Sequence, residues 1–367
     1  MARAVFTILF LSILYVAKVA INDTPSANGL GDSLQAHLKG EPIQFTTLKP
    51  LDSLLTLLVR FFQPIPNGND IYLSLFTIFM AGQLLAVCVL VVVEGLRAGN
   101  RGKLISYTTF WGLLWQIITI GATLPLYFTL YLYTSPVPAA RGSEALAAAI
   151  SVDPVQSRAV IASVALGTLL PTILAALPSP LVVAPRTQEI FLALWQAFPL
   201  LSGITQVVAA WAVGALGLVP EAARSRPETR TRDLRRVYVC TLSFVALSCY
   251  GVVGYVFWKS GWASEAALGA LVEVVRPPSP WSQKKMASVE KATLALLQWD
   301  LYCASAATWT WVVYMAYQRK GVGQVAKDLG RLVGWSALVG PGGAALAVVW
   351  GRDAEVARAA GGKRKTG

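Results

Sequence analysis

The chain is short of the residues that most metal and nucleotide chemistry requires. It has a single histidine, His37, in 367 residues. That excludes a His-rich di-iron centre, and a His-based zinc site needs at least two. Four cysteines, Cys88, Cys240, Cys249 and Cys303, all fall in apolar stretches with no C-x-x-C spacing. They read as small buried residues rather than ligands or disulfides. There is no Gly-rich G-x-x-x-x-G-K loop closed by Ser or Thr for a nucleotide. The D-D-x-x-D pattern that holds magnesium diphosphate is missing too, and nothing marks Ser-His-Asp catalysis. Charge is also scarce, at 14% of residues against about 25% in a soluble domain.

What fills the space is apolar. Hydrophobic residues make up 55% of the chain and gather in about eight long runs: 5–21, 71–93, 104–133, 159–183, 189–218, 238–258, 293–317 and 332–350. A bilayer core about 30 Å thick takes roughly 20 helical residues to cross. Backbone in hydrocarbon must satisfy its own hydrogen bonds, so helices are the default. Short alternating strands of the membrane-barrel kind are not seen. The fold class expected is all-α: a polytopic integral membrane helical bundle of about eight transmembrane helices, forming one domain over 1–367. The first loop, 22–70, carries the amphipathic segment Leu51–Phe62, in which Asp52, Thr56 and Arg60 recur every four residues. That pattern suits a helix lying in the membrane interface. The 351–367 end is a basic tail. No internal repeat is evident beyond the alternation of span and loop.

The net charge is +12. Its basic residues sit in connections, at Arg97–Lys103, Arg224–Arg236 and Arg319–Arg331, where contact with lipid headgroups accounts for them. Nucleic acid is not an expected partner; the lipid bilayer is. Strict alternation of eight spans puts the Arg-rich 219–236 loop opposite 94–103, so charge alone leaves the orientation open. One segment between 104 and 218 is therefore expected to be broken or re-entrant, at Pro125, Pro171 or Pro199. Lys365 and Lys363 stand third and fifth from the carboxyl end of this sequence. They resemble a dilysine retrieval signal, which would place the protein in the endoplasmic reticulum. Asn22-Asp23-Thr24 is a glycosylation sequon.

The few polar groups left in the apolar runs are the candidates for chemistry. Asp300, in Leu297-Gln298-Trp299-Asp300-Leu301-Tyr302, is the clearest. A carboxylate at the bilayer centre costs roughly 2.5–3.5 kcal/mol to insert. An acid kept from water tends to hold its proton and then serves as a general acid. Its alternative is a structural cap or ion pair. Glu94 ends the second run with Arg97 one turn later, the spacing of an ion pair. Asp70 suits the N-cap of that run, and Glu189 opens the fifth, where a helix N-terminus favours a carboxylate. Gln83, Gln116, Gln196 and Gln206 lie inside runs, where amides ordinarily bond between helices. Trp111 and Trp115 share a helix face at i,i+4. With Trp195 and Trp299 they are either interfacial belt residues or the walls of a pocket that steadies a cation.

One part of the chain carries a resemblance. The stretch Pro66-Asn-Gly-Asn-Asp70-Ile-Tyr-Leu-Ser-Leu75 is followed by Gly82-Gln83 and by Val93-Glu94-Gly-Leu-Arg97-Ala-Gly-Asn100-Arg101. Trp111-Gly112, Trp115-Gln116 and Pro125-Leu-Tyr-Phe128 complete it. It is similar to the fungal membrane-bound terpene cyclases of the ascofuranone and ascochlorin meroterpenoid pathways, best over residues 60–130. The resemblance implies intramolecular cyclisation of a farnesylated aromatic polyketide bearing a terminal epoxide, with no metal and no cofactor. On that reading Asp300 or Glu94 is the acid, and Asp70 and Gln116 orient or accept a proton. Trp111, Trp115, Trp195, Gln196 and Trp299 line the substrate. The alternative is an exporter of a lipophilic metabolite. An enzyme needs at least two carboxyl or amide groups facing one closed cavity, whereas a transporter needs a path open to both sides.

Overall fold

The computed structural model describes residues 1–27, 29–32, 42–262, 264–282 and 284–363. His37 and 364–367 lie outside them, so the dilysine pair cannot be placed in full. Among the described residues there are helices and no strands. Among the described residues six helices are long and apolar enough to cross a bilayer: Ala2–Ala27, Ile71–Leu96, Pro154–Ala175, Phe198–Ala215, Pro227–Ser260 and Val322–Gly361. That is two fewer than the eight runs suggest: none of the six covers 104–133 or 293–317, although the latter lies in one continuous helix, Val289–Lys320.

We label the helices in chain order. Helix α1 is Ala2–Ala17, prolonged by a π-turn over Lys18–Asp23 and by Thr24–Ala27. Helix α2, Lys49–Phe62, is the amphipathic segment. Helix α3, Ile71–Leu96, starts where the Asp70 side chain accepts from the Leu73 amide at 3.0 Å. Its 26 residues reach about 39 Å at 1.5 Å each. Next come α4, Thr108–Ile118, and α5, Ile120–Thr134. Helix α6 is Ser143–Ile150, and α7 is Pro154–Ala175 with π-turns over Ser163–Leu169. Helices α8, Pro185–Gln196, and α9, Phe198–Ala215, follow. Then come α10, Pro227–Ser260, α11, Glu265–Val275, α12, Val289–Lys320, and α13, Val322–Lys363.

The 104–133 run is a hairpin and not a single span. Helices α4 and α5 have 11 and 15 residues, about 17 and 23 Å, each too short for a 30 Å core. They fold back on each other: the Trp111 ring lies 5.3 Å from that of Tyr127, and the Tyr127 hydroxyl donates to the Ile105 carbonyl at 3.3 Å. The break falls at Thr119, with φ 71° and ψ 157°, and not at Pro125, which sits inside α5. Pro171 is absorbed by the π-turned α7, where the ladder is already displaced. Pro199 stands in the first turn of α9, where a missing amide is harmless. The 189–218 run is thus divided between α8 and α9.

The last helix makes a second hairpin. Gly340, with φ 74° and ψ 174°, bends α13 just before Pro341. Its two arms double back, so that Arg319 lies 3.8 Å from Asp328 on one and 3.3 Å from Glu355 on the other.

The two hairpins are held alike. At the first, the Gly121 amide donates to Asp300 Oδ1 of α12 at 2.6 Å. At the second, the Gly342 and Gly343 amides donate to Gln83 Oε1 of α3 at 2.9 and 3.2 Å, and Gln83 Nε2 donates to the Val339 carbonyl at 3.2 Å. Gly121 and Gly342 each stand two residues past the bend. A Cβ on Gly121 would meet the Asp300 carbonyl at 2.7 Å, and one on Gly342 would meet the Gln83 carbonyl. Helix α3 precedes the first hairpin and caps the second; α12 precedes the second and caps the first. A long helix, a short helix, a long helix and a hairpin therefore occur twice, as α1–α5 and as α10–α13, with α6–α9 between. Gly121 matches Gly342, but Thr119 stands against Gly340 and Asp300 against Gln83, and the sequence shows no repeat.

Because the first hairpin turns back short of crossing, the basic connections meet at one end of the bundle. Arg158, at the start of α7, donates to the Leu218 carbonyl at 2.6 Å and pairs with Asp233 at 2.7 Å. Arg97 donates to the Ile150 carbonyl at 2.7 Å, and Lys320 pairs with Glu355 at 2.6 Å. The 94–103 and 219–236 segments thus share an end, which removes the conflict that strict alternation creates.

Candidate active site

Four acids were candidates, and the fold does not bring them together. Asp70 caps α3 at the end remote from the basic connections, 3.5 Å from Lys291. Glu189 is also remote, paired with Arg186 at 3.2 Å and Arg60 at 3.7 Å. Glu94 lies at the basic end, and Asp300 stands between these levels.

Glu94 is fully engaged. Its Oε1 meets Arg97 at 2.6 Å and Arg352 at 3.2 Å, and its Oε2 accepts from the Tyr131 hydroxyl at 2.8 Å. Asp353 completes the cluster through Arg97 at 2.9 Å, Tyr238 at 2.8 Å and Arg352 at 2.9 Å. All of these groups are buried. Two carboxylates and two guanidiniums balance, and every carboxylate oxygen has a donor. The arrangement pins α3, α5, α10 and α13 together at one level. It leaves Glu94 no free oxygen for a substrate.

Asp300 differs. It is 7% exposed, and its Oδ1 takes the Gly121 amide. The Ile120 amide and the Thr119 hydroxyl face the same carboxyl group, but that hydroxyl reaches hydrogen-bond geometry with no partner among the described residues. No hydrogen bond among those residues uses Asp300 Oδ2. The acid therefore sits over the N-terminus of α5 with one oxygen anchored and one free. Thr119 is a β-branched residue at positive φ, a conformation that costs of order 1–3 kcal/mol. The matched bend uses Gly340, which has no such cost.

The other arm of this hairpin borders a cavity of about 350 Å³ between α3, α4, α7 and α9. That is within the range of small-molecule pockets. Leu85, Cys88, Val89 and Val92 of α3 form one wall, so it extends about 10 Å along that helix. Trp115 and Pro199 lie at its inner end, and Tyr107, Phe110 and Val207 form its rim. The rim is exposed on the apolar flank of the bundle, with Tyr107 at 58% and Val207 at 69%. Ser163, Thr168, Ser202 and Gln206 also line it, but Ser163 and Thr168 are tied to Ser202, and Gln206 Nε2 is tied to Gln156. No acid lines this cavity. Glu94 lies half a helical turn away from the α3 wall, on the opposite face.

Of the residues expected to line the substrate, Trp115 alone borders the cavity. Trp111 packs inside the hairpin and donates to the Leu104 carbonyl at 3.1 Å. Trp195 and Gln196 belong to the packing of α8: Trp195 donates to Thr172 at 3.0 Å and Gln196 to the Leu192 carbonyl at 3.3 Å. Trp299 bonds the Pro278 carbonyl at 3.0 Å. Gln116 is half-buried and does not border the cavity. Asn22 is exposed, while Thr24 of its sequon is buried and donates to Pro280. Thr119 and Gly121 are marked by nothing in the sequence. Gly340-Pro341-Gly342-Gly343 signals a bend, but Ile118-Thr119-Ile120 carries no breaking residue.

The fold and site define a helical membrane protein built round two bent-back hairpins, one closed by a buried acid. The chain belongs to the CtvD-domain family, whose model matches residues 4–357. It is 31% identical over 321 residues to the terpene cyclase ascI of Acremonium egyptiacum, covering 84% of this chain and 79% of that one. It is 27% identical over 306 residues to the terpene cyclase janA of Penicillium janthinellum, covering 82% and 76%. It is 26% identical over 334 residues to the terpene cyclase ctvD of Aspergillus terreus, covering 88% and 87%. No solved structure matches the chain.

Proposed function

We propose that the chain is a terpene cyclase of fungal meroterpenoid biosynthesis. It acts on a farnesylated polyketide with a terminal epoxide, and Asp300 gives the proton that opens the ring. The curated relatives named as terpene cyclases support the reaction class. The observation that carries the choice of acid is the contrast between Asp300 and Gln83. Both close a hairpin by accepting an amide two residues past the bend. An amide therefore suffices for the cap. A carboxyl group in the same role is harder to keep in a membrane interior, so capping alone does not explain it. Its free oxygen is available to chemistry, whereas every oxygen of Glu94 is taken.

Protonation of the oxirane oxygen breaks its bond to the more substituted carbon. A hydroxyl oxygen of the same molecule captures the cation and sheds its proton, or an alkene captures it and the new cation then loses a proton from a neighbouring carbon; either loss balances the proton given. The cavity rim on the apolar flank suits entry of an oily substrate from the bilayer. A passage through the molecule would favour an exporter, but this cavity covers only about two turns of α3. Microsomes containing the protein, incubated with an epoxyfarnesyl phenol, are expected to yield a product of equal mass and new retention time. Recovery of unchanged epoxide would contradict the reading.

A further inference from the structure

The bend of the first hairpin holds a second departure from its counterpart. Thr119 and Gly340 adopt nearly the same backbone conformation, φ 71° and ψ 157° against φ 74° and ψ 174°. Glycine meets that demand without strain, and the second hairpin has it. The first keeps a β-branched residue there. Thr119 Oγ1 is buried, and no partner among the described residues stands in hydrogen-bond geometry to it. It faces the carboxyl of Asp300, itself the one cap of the two that carries an acid. Two costly exchanges, threonine for glycine and aspartate for glutamine, thus converge on one point. Capping and bending account for neither, since the second hairpin does both without them.

We propose that Thr119 is a catalytic residue whose hydroxyl donates a hydrogen bond to the oxirane oxygen while Asp300 delivers its proton. The inference rests on the cyclase reading above. Thr119 exchanges no proton in this step. It holds the oxygen on which the Asp300 proton arrives, and it stabilises the alkoxide character that grows as the carbon–oxygen bond stretches. Trp115, one turn earlier on α4, is the last residue of that helix to border the cavity; Thr119 and Asp300 lie beyond its wall, about 6 Å further along the helix axis. A donor of this kind is typically worth about 100-fold or more in rate.

Thr119→Gly supplies the residue of the matched bend and separates the two roles. The full-length protein, purified in detergent, should melt at or above the wild-type temperature, while kcat on an epoxyfarnesyl phenol falls about 100-fold. Thr119→Ser keeps the hydroxyl and should stay within about tenfold of wild type; Thr119→Val should match the glycine variant in rate. Loss of both melting temperature and rate in Thr119→Gly would make the residue structural and overturn the proposal. Full activity of Thr119→Gly beside a dead Asp300→Asn would overturn the role of Thr119 alone. Full activity of Asp300→Asn, or no turnover by the wild type, would overturn the cyclase mechanism on which it rests.

Discussion

The carboxyl of Asp300 accepts the amide of Gly121 at 2.6 Å, across 179 residues of sequence, and so closes a hairpin that stops short of crossing the bundle. The same task falls to Gln83 at the other hairpin. An internal comparison of this kind separates what the fold needs from what it carries in addition.

Gly121→Ala is the first test of that closure. A Cβ there would stand 2.7 Å from the Asp300 carbonyl and 2.8 Å from its Oδ1, so helix or side chain must shift. Overpacking of this kind costs about 1–3 kcal/mol. Thermal unfolding in detergent should show a lower melting temperature for Gly121→Ala and for Gly342→Ala alike. Only the former should also displace the acid and depress turnover in the protein that remains folded.

Glu94→Gln tests the buried ion cluster. It weakens the acceptor for Arg97 and Arg352 while both cations stay buried. Removing one partner of such a set costs about 3–5 kcal/mol. The variant should be poorly expressed and heat-labile. Folded molecules should turn over substrate at close to the wild-type rate, because Glu94 touches no reacting atom. A stable but inactive Glu94→Gln would return this residue to the chemistry.

Filling the cavity tests where the oily substrate lodges. Val207 stands at the rim and is largely exposed, so Val207→Trp adds bulk at the mouth without disturbing the interior. A rise of about tenfold in KM with little change in kcat is expected. A diazirine-bearing farnesyl phenol without the epoxide should label peptides from 85–92, 107–115 and 199–207. Labelling confined to other segments would place the chamber elsewhere.

Topology supplies a further prediction. With 94–103 and 219–236 at one end, the excess of positive charge predicts that this end faces the cytosol and that Asn22 faces the lumen. Cysteines introduced at Arg101 and Arg226 in a cysteine-free background should react with an impermeant maleimide added outside sealed microsomes. One introduced at Ser26 should react only after permeabilisation. The opposite pattern would invert the molecule.

The parts of this arrangement that were legible in the sequence are local ones. The amphipathic repeat of Asp52, Thr56 and Arg60 marks α2, the carboxylate of Asp70 marks the start of α3, and the spacing of Glu94 and Arg97 marks their pair. Each depends on residues within one or two turns of each other. The hairpins were not legible for physical reasons. Thr119 lies among isoleucines, and the group that caps the bend there is the Asp300 side chain brought from a distant helix. A run of apolar residues long enough to cross was therefore read as crossing. Trp195 and Trp299 look like pocket walls by composition, yet their indole nitrogens are spent on Thr172 and the Pro278 carbonyl. The cavity draws on four helices from distant parts of the chain, so no local pattern could announce it.

The central claim is that the proton of Asp300, and not its capping bond, is what the reaction needs. Asp300→Asn keeps an oxygen for the Gly121 amide, as Gln83 does for Gly342, and removes only the acid. Turnover of an epoxyfarnesyl phenol should fall at least 1,000-fold, with the melting temperature of the purified protein little changed. A variant that cyclises at the wild-type rate would show that the acid lies elsewhere.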